Sequence, residues 1–526
     1  MAVPPWTDLA AGDRVVTAVE PVSEGAVRVS SGPEYSSRGR VQAARLAQRG
    51  WSGTPVRHRL AIIQKLRLRL ANEALTASNS ASGRHRDEAA KVAAEVLPVL
   101  EALAFLEREA PRLLRRTRLG RRGRPSWLGG LVARIERRPL GVVLIVAPGN
   151  YPFLLMAIQV AQALVAGNTV LVKPAPDGVE AAEDFHHRLI EAGLPSDAFL
   201  LLDPDPSSVH DCLAEGVDHL IFTGSTKAGH QVHAACAAAG VPSTAEWSGC
   251  DAVILSEQIQ GDSELRHAAR AVAFGLSLNR GHSCIAPRRV YGSVATLDRF
   301  VAMLEDELGM RGTEIPSEER DALGSLAVRA ERAGARPILN ELPADRAPIA
   351  YDCSGLDELR HWPAVDSHDA PAGMILGTFA VENDREAIAR VNEHPFRLGA
   401  SVFGPGAQAI AEQLEVGFVS VGDVILGSAD PRLPFGGRAG SGFGVTRGAE
   451  GLLELTTPRA TSIRRRGPLR HLELPCEGDA ALLTALARMD HAPNPLGRLR
   501  ALGDLIRAIK NRGQFSPTTS ANESHD

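Results

Sequence analysis

Apolar residues recur at spacings of three and four through RVQAARLAQRGW, RHRLAIIQKLRLRLANEAL and RDEAAKVAAEVLPVLEALAFL, with charges on the opposite faces. This spacing predicts amphipathic helices between Arg40 and Leu114. Residues 1 to 40, rich in Gly, Ser and Pro, predict an irregular lead-in. Past an arginine run from Arg112 to Arg124 the period changes. LVARIERRPLGVVLIVA combines alternation with a continuous apolar run, so strands are expected from Leu131 to Ala147, the second buried on both faces. A PGNYP turn leads into a helix, FLLMAIQVAQALVAG, that stops at Gly167. The unit then repeats: strand NTVLVKPA, helix 179 to 192, strand AFLLLD, helix 207 to 215, strand DHLIFTG, and a helix from GSTKAG through Ala239. Strands alternating with helices at this spacing predict a doubly wound parallel sheet, whose ligands sit at the carboxyl ends of the strands. Asn150, Lys173 and Gly224 fall at such ends.

A second alternation starts at Asp251. It runs through DAVILS, a helix up to Asn279, RRVYGS, a helix over 295 to 309, MILGTFAV, a helix over 384 to 393, LGASVFG, a helix over 406 to 415, and FVSVGD, and it predicts a second α/β unit. Residues 311 to 368 show only patchy periodicity. PFGGRAGSGFG is a glycine-rich loop, LLELTTPRATSIRRR reads as a strand, and ALLTALARM and RLRALGDLIRAIKN read as helices before a polar tail, SPTTSANESHD, expected to be disordered.

Composition narrows the function classes. A chain of 526 residues is long enough for two or three domains, and its net charge of -4 argues against a nucleic-acid partner. The arginine run lacks aromatic stacking residues and fits a solvated face. The 6 cysteines contain no CxxC pair, which points away from a disulfide framework or zinc knuckle and towards a reducing compartment, the cytoplasm. The start lacks a signal-peptide pattern, and no apolar stretch approaches a membrane span. His230 and His233 are three apart on one helix and His282 lies near Cys284, but no set of three or four ligands emerges, so no metal is expected.

The candidate nucleophile is Cys284, in FGLSLNRGHSCIAPRR, where a helical run breaks at Asn279, Arg280 and Gly281 and delivers a thiol between small residues. Alone, such a cysteine is more often just a small buried core residue. Around it, PLGVVLIVAPGNYP, AGNTVLVKP, FTGS, Glu246 in AEWSGCDAV, GHSC and PFGGRAGSGFG occur in the order found in the aldehyde dehydrogenase superfamily, which residues 40 to 465 resemble. The resemblance implies an aldehyde-dehydrogenase-like fold of two doubly wound α/β domains and a small β oligomerisation element. Residues 1-124 and 141-247 would form the Rossmann-like cofactor-binding domain and 248-448 the catalytic domain. Residues 125-140 and 449-465 would give an oligomerisation hairpin and strand, leaving 466-526 as a helical C-terminal extension. It further implies oxidation of an aldehyde to an acid by NAD or NADP in a homodimer or homotetramer, with no nucleic acid or membrane involved. Cys284 would attack the carbonyl, Asn150 and the Cys284 N–H would hold the oxyanion, and Glu246 would activate the hydrolytic water. Lys173, Gly224, Ser225, Pro148 and Ala147 would contact the cofactor, Gly436 and Gly437 would let the chain pass close to the active site, and Phe153, Trp247, Ser283, Ile285 and Leu426 would line the substrate pocket.

The chain departs from the pattern at several places. Gly149 stands where the family has tryptophan, and Ala175 and Pro176 replace a Ser-Glu pair whose acid would repel a 2′-phosphate. The family's ribose-binding glutamate aligns with Ala370, in the run Ala370 to Met374, with Asp369 one step earlier as a substitute. His282 replaces a glutamine and, as a cation, would lower the thiol pKa. These departures keep three alternatives open: a non-catalytic scaffold subunit, a coenzyme A-acylating relative and a thiol esterase.

Overall fold

The computed structural model describes residues 36–80, 87–128, 130–311, 313–339, 346–364, 372–465, 472 and 478–512. Most of the expected lead-in, the polar tail, and Asp369, Ala370 and Pro371 lie outside them.

Among the described residues the first α/β unit holds six strands, in the spatial order Gly442–Phe443, Ser243–Glu246, His219–Thr223, Val142–Val146, Thr169–Lys173, Phe199–Leu201. All neighbours are parallel except Gly442–Phe443, which runs antiparallel to Ser243–Glu246. Val142–Val146 is buried throughout, and so is the helix Leu154–Ala166 that crosses it. That explains their unbroken apolar runs, since a surface facing protein on every side has no polar stripe. Each of these aliphatic side chains contributes roughly 1.5–3 kcal/mol of burial free energy.

The second sheet, again among the described residues, runs Arg336–Pro337, Ile349–Asp352, Ile375–Ala380, Pro287–Gly292, Asp251–Leu255, Gly399–Phe403, Phe418–Val421. It is parallel apart from Arg336–Pro337. Its own core includes Ile254, Val272, Phe300, Leu376 and Val402. A third, antiparallel sheet joins Thr117–Arg118, Leu131–Pro139 and Thr456–Arg464, the last two paired residue by residue from Leu131↔Arg464 to Pro139↔Thr456.

Four expectations change. LLEL is not strand: Gly448–Glu454 is a helix that turns Leu452 into the first core, with Leu455 buried just beyond it, and extended structure begins only at Thr456–Arg464. The helix expected over 406 to 415 spans only Ala407–Ala411. Within the illegible stretch lies the helix Ser317–Arg332, whose buried Leu323, Leu326 and Ala330 are too few among its charges to show a stripe. Ser243–Glu246 carries only one apolar side chain, so the strand that bears Glu246 gives no periodic signal.

Val56–Asn72 and Leu97–Leu113 pack in the core on the Val143 and Ile145 face of the first sheet, whereas Val41 and Ala44 of the helix Ser37–Trp51 pack on the opposite face with Val142 and Leu144. Glu88–Lys91 continues through a π turn, Val92–Val96, into Leu97–Leu113. Pro98 lacks an N–H for the ladder, and the backbone widens just before it. The wide turn directs Glu95, 0% exposed, into the interior. At the other end of the chain Asp479–His491 and Pro495–Arg512 pack on each other through Ala485 and Ala501.

Candidate active site

The break that was visible in the sequence before Cys284 is a left-handed stretch. Asn279, Arg280 and Gly281 have φ of 50°, 52° and 74°. For the two non-glycine residues this costs about 1–3 kcal/mol each, so the surroundings must hold it. Asn279 Nδ2 donates to the Asn150 carbonyl at 2.9 Å, and Asn150 Nδ2 donates to the His282 carbonyl at 2.8 Å. The buried Arg288 guanidinium donates to the carbonyls of Gly281 and Gly373. A Cβ on Gly281 would sit 2.1 Å from the Gly373 oxygen, so only glycine fits where these segments cross. Arg288 is thus a site residue that the sequence did not single out.

Cys284 lies where two cavities meet. One, of about 370 Å³, is walled by the N-terminal helices, by Leu154, Leu155 and Ile158, and by Ile425, Leu426 and Phe435. The other, of about 740 Å³, opens at the carboxyl ends of the first sheet and takes in Pro148, Gly149, Asn150, Gly224, Ser225, Glu246, Trp247 and Arg288. Leu155, Ser283 and Cys284 line both, so the thiol is approachable from two directions.

Glu246 ends the strand Ser243–Glu246, is 4% exposed, and accepts a hydrogen bond from the Thr446 hydroxyl. Burial pushes its carboxyl above the usual range, while the Arg447 charge and then the Thr446 hydroxyl oppose that shift. Burial also pushes the Cys284 thiol up to about 12, helped by the charges of Glu246 and Asp251; Arg447 and the cysteine's own N–H act the other way. Arg447 is fixed over the Phe435 ring at 4.7 Å and donates to the Ser428 carbonyl at 2.9 Å. Its backbone has φ 59° and ψ 175°.

The structure therefore moves several sequence-derived assignments. His282 does not face the thiol: its ring meets Glu319 at 2.9 Å, and the cation acting on the thiol is Arg447. Lys173 and Ala147 are 9% and 6% exposed at neighbouring strand ends, with Ala147 N–H donating to the Lys173 carbonyl at 3.0 Å, and are not among the residues that line the cleft. Pro148, Gly224 and Ser225 do line it. Phe153 belongs to the core, edge-to-face with Phe185 at 5.7 Å. Trp247 lines the strand-end cleft rather than the apolar cavity, whereas Ser283, Ile285 and Leu426 line the apolar one. Gly436 and Gly437 approach Gly444 and Ser441 of their own loop. His230 and His233 pack against the rings of Trp247 and Phe443.

Glu95 is a second contributor that sequence reasoning missed. Its Oε2 accepts from Phe153 N–H at 2.9 Å and Leu154 N–H at 3.1 Å, capping the helix that follows Asn150.

The strand-end cleft suits a dinucleotide. The helix Thr226–Ala239 starts at its rim, capped by Ser225, and presents the positive end of its dipole there. Trp247 lines the cleft, and its buried indole N–H has no acceptor among the described residues. Gly229, in the first turn of that helix, lies against the indole: a Cβ there would meet Nε1 at 2.1 Å.

Comparisons with known proteins agree with this arrangement. A family model described as "Aldehyde dehydrogenase family" matches residues 6–461. The "4,4'-diapolycopene aldehyde oxidase" of Methylomonas sp is 28% identical over 428 residues, 78% of this chain and 78% of that protein. The "NADP-dependent glyceraldehyde-3-phosphate dehydrogenase" of Streptococcus equinus is 30% identical over 349 residues, 63% of this chain and 70% of that one. Among solved structures, the NADP-dependent glyceraldehyde-3-phosphate dehydrogenase from Bacillus halodurans C-125 complexed with NADP superposes with a TM-score of 0.72 at 25% identity, covering 81% of this chain and 91% of that chain.

Proposed function

Because the chain belongs to the aldehyde dehydrogenase family, we propose that it oxidises an aldehyde to a carboxylic acid through a thioester on Cys284, with NAD or NADP as cofactor. The observation that carries this reading is the position of Cys284 at the junction of the apolar cavity and the strand-end cleft, with Glu246 on the cleft side.

The Cys284 sulfur gives its proton to water in the open cleft and forms a bond to the aldehyde carbon, and the carbonyl π pair becomes an oxyanion. One amide hydrogen of Asn150 is committed to His282, which leaves the other, together with the Cys284 N–H, to hold that oxygen. Preorganised donors of this kind contribute about 3–4 kcal/mol each. When bound, the nicotinamide cofactor supplies the hydride acceptor that takes the carbon to the thioester oxidation level. Glu246 then takes a proton from water, the hydroxide adds to the thioester carbon, and the C–S bond breaks to give acid and thiolate. A carboxyl raised by burial is a stronger base than an exposed one once ionised, which suits that step. Pro148, Gly224, Ser225 and Trp247 would hold the cofactor, with residues 1-124 and 141-247 as its domain and 248-448 as the catalytic domain. No helix among the described residues is long and apolar enough to cross a membrane, and a cytoplasmic enzyme is the reading we adopt.

The outer edge of Thr456–Arg464 has no partner strand among the described residues, and an edge of nine residues is a template for pairing. A homodimer or homotetramer joined there follows, to be checked by light scattering.

The functional test is formation of reduced nicotinamide from NAD or NADP with a panel of aldehydes. Turnover is expected in the parent and absent in Cys284→Ala. With Glu246→Gln, a single burst without turnover is expected. Failure of the parent with every aldehyde and both cofactors would sink the proposal.

A further inference from the structure

Resting on that dehydrogenase reading, we propose that the substrate is a large, uncharged, apolar aldehyde, such as an alkyl or alkenyl chain with a terminal carbonyl. Short aldehydes and those carrying a carboxylate or phosphate are then disfavoured.

Ala90, Ala93, Ala94 and Ala102 all line the cavity of about 370 Å³ that ends on Cys284. They sit on the helical run that contains the π turn, Glu88–Lys91 through Leu97–Leu113. Four alanines along one helical face leave room that larger residues would fill. The volume falls within the range of about 300–1,000 Å³ usual for sites that enclose a whole ligand. At the outer end Phe274 and Leu426 stay 40% and 63% exposed. Apolar side chains held open at a mouth have something to gain from an apolar guest.

Charge makes the choice sharper. The charged side chains lining this cavity are Asp430 and Arg447. Asp430 is paired with Arg432 at 2.9 and 3.1 Å and, as a carboxylate, offers a substrate anion no attraction. Arg447 is at the thiol end, where its charge acts on both Cys284 and Glu246 and its guanidinium lies over the Phe435 ring and donates to the Ser428 carbonyl. An anionic group on a substrate sits away from the reacting carbonyl, so it would need a cation further out. Among the described lining residues the outer cavity holds none. Two of the matched proteins are named for glyceraldehyde 3-phosphate, and this cavity is unsuited to that anion.

Each methylene moved from water into such a cavity is expected to raise kcat/KM about four-fold until the cavity is full. The experiment measures kcat/KM for propanal, hexanal, decanal, succinic semialdehyde and glyceraldehyde 3-phosphate, and in parallel the calorimetric binding of unreactive propanol, hexanol and decanol. The expected result is a steep rise from propanal to decanal, weak use of both anionic aldehydes, and alcohol affinity rising in the same order. Ala94→Phe should lower the decanal to propanal ratio at least ten-fold. A flat or falling length profile, or an anionic aldehyde as the best substrate, overturns the substrate class and leaves the dehydrogenase reading intact. Loss of all turnover defeats that reading instead. The alcohol titration then decides the cavity's preference alone, with length-dependent affinity supporting it and length-independent affinity overturning it.

Discussion

Replacing Thr446 by valine removes one hydroxyl that touches the carboxylate expected to act as base. The hydroxyl has one proton and two acceptors in reach, Glu246 Oε1 and, at 3.3 Å, the Phe435 carbonyl, and the carboxylate is much the nearer. Valine should occupy the site without moving the backbone, because Thr446 is 4% exposed and its N–H and C=O are both bridged to Phe435, at 2.7 and 2.8 Å. A hydrogen bond to a charged group is worth about 1.5–3 kcal/mol, and a ten-fold change in a protonation equilibrium corresponds to about 1.4 kcal/mol. Arg447 outweighs Thr446 among the groups that favour ionised Glu246, so the lower end applies, and the titration should move by about one pH unit. The sign follows from the base being active when deprotonated. Losing a donor raises the carboxyl pKa further, so the acid limb of the deacylation rate moves to higher pH. Below that limb the variant deacylates about ten-fold more slowly, and above it the two proteins converge. Stopped-flow formation of reduced nicotinamide separates the burst from the later steady rate, and the steady rate is followed from about pH 5 to 9. A variant profile that superimposes on the parent's, or moves to lower pH, would refute the coupling of Thr446 to the base.

Three other outcomes follow from the same geometry. With the thiol pushed up to about 12 in the free protein, alkylation of Cys284 by iodoacetamide should accelerate about ten-fold per pH unit from pH 7 to 9. Glu246→Gln should speed it by removing a like charge, and a plateau in that range or a slower variant would count against this. Glu95→Ala leaves the Phe153 and Leu154 N–H groups without their carboxylate acceptor, at about 1–3 kcal/mol each, and should lower the urea midpoint; an unchanged midpoint would show that the cap adds nothing. Gly229→Ala puts a methyl 2.1 Å from the Trp247 ring nitrogen, and a repacking cost of about 1–3 kcal/mol predicts cofactor binding weaker by about ten-fold, read by fluorescence titration. Unaltered affinity would remove Trp247 from the cofactor site.

The residue pattern alone determined the alternation of elements in both α/β units, since Val142–Val146 is apolar throughout, Thr169–Lys173 is apolar inside polar ends, Asp251–Leu255 is apolar after Asp251, and the helix Leu154–Ala166 stops at Gly167. Cys284, Asn150 and Glu246 came instead from the resemblance to the aldehyde dehydrogenase superfamily, whose ordered short motifs can be matched in sequence even when their spatial relation is unknown. What the sequence could not determine was direction. A side chain's partner depends on which way the backbone points it, and only the tertiary structure decided that His282 turns to Glu319 while Arg447 faces the thiol, or that Trp247 lines one cavity and Phe153 fills the core. Glu95 and Arg288 were invisible for the same reason. Each is a charged residue in a chain rich in them, and its importance comes from burial against backbone groups that are remote in sequence, 58 residues away for Glu95 and 85 for Arg288. Local periodicity records how an element meets water and core, but the pairing of buried charges with distant carbonyls and N–H groups exists only once the elements have packed.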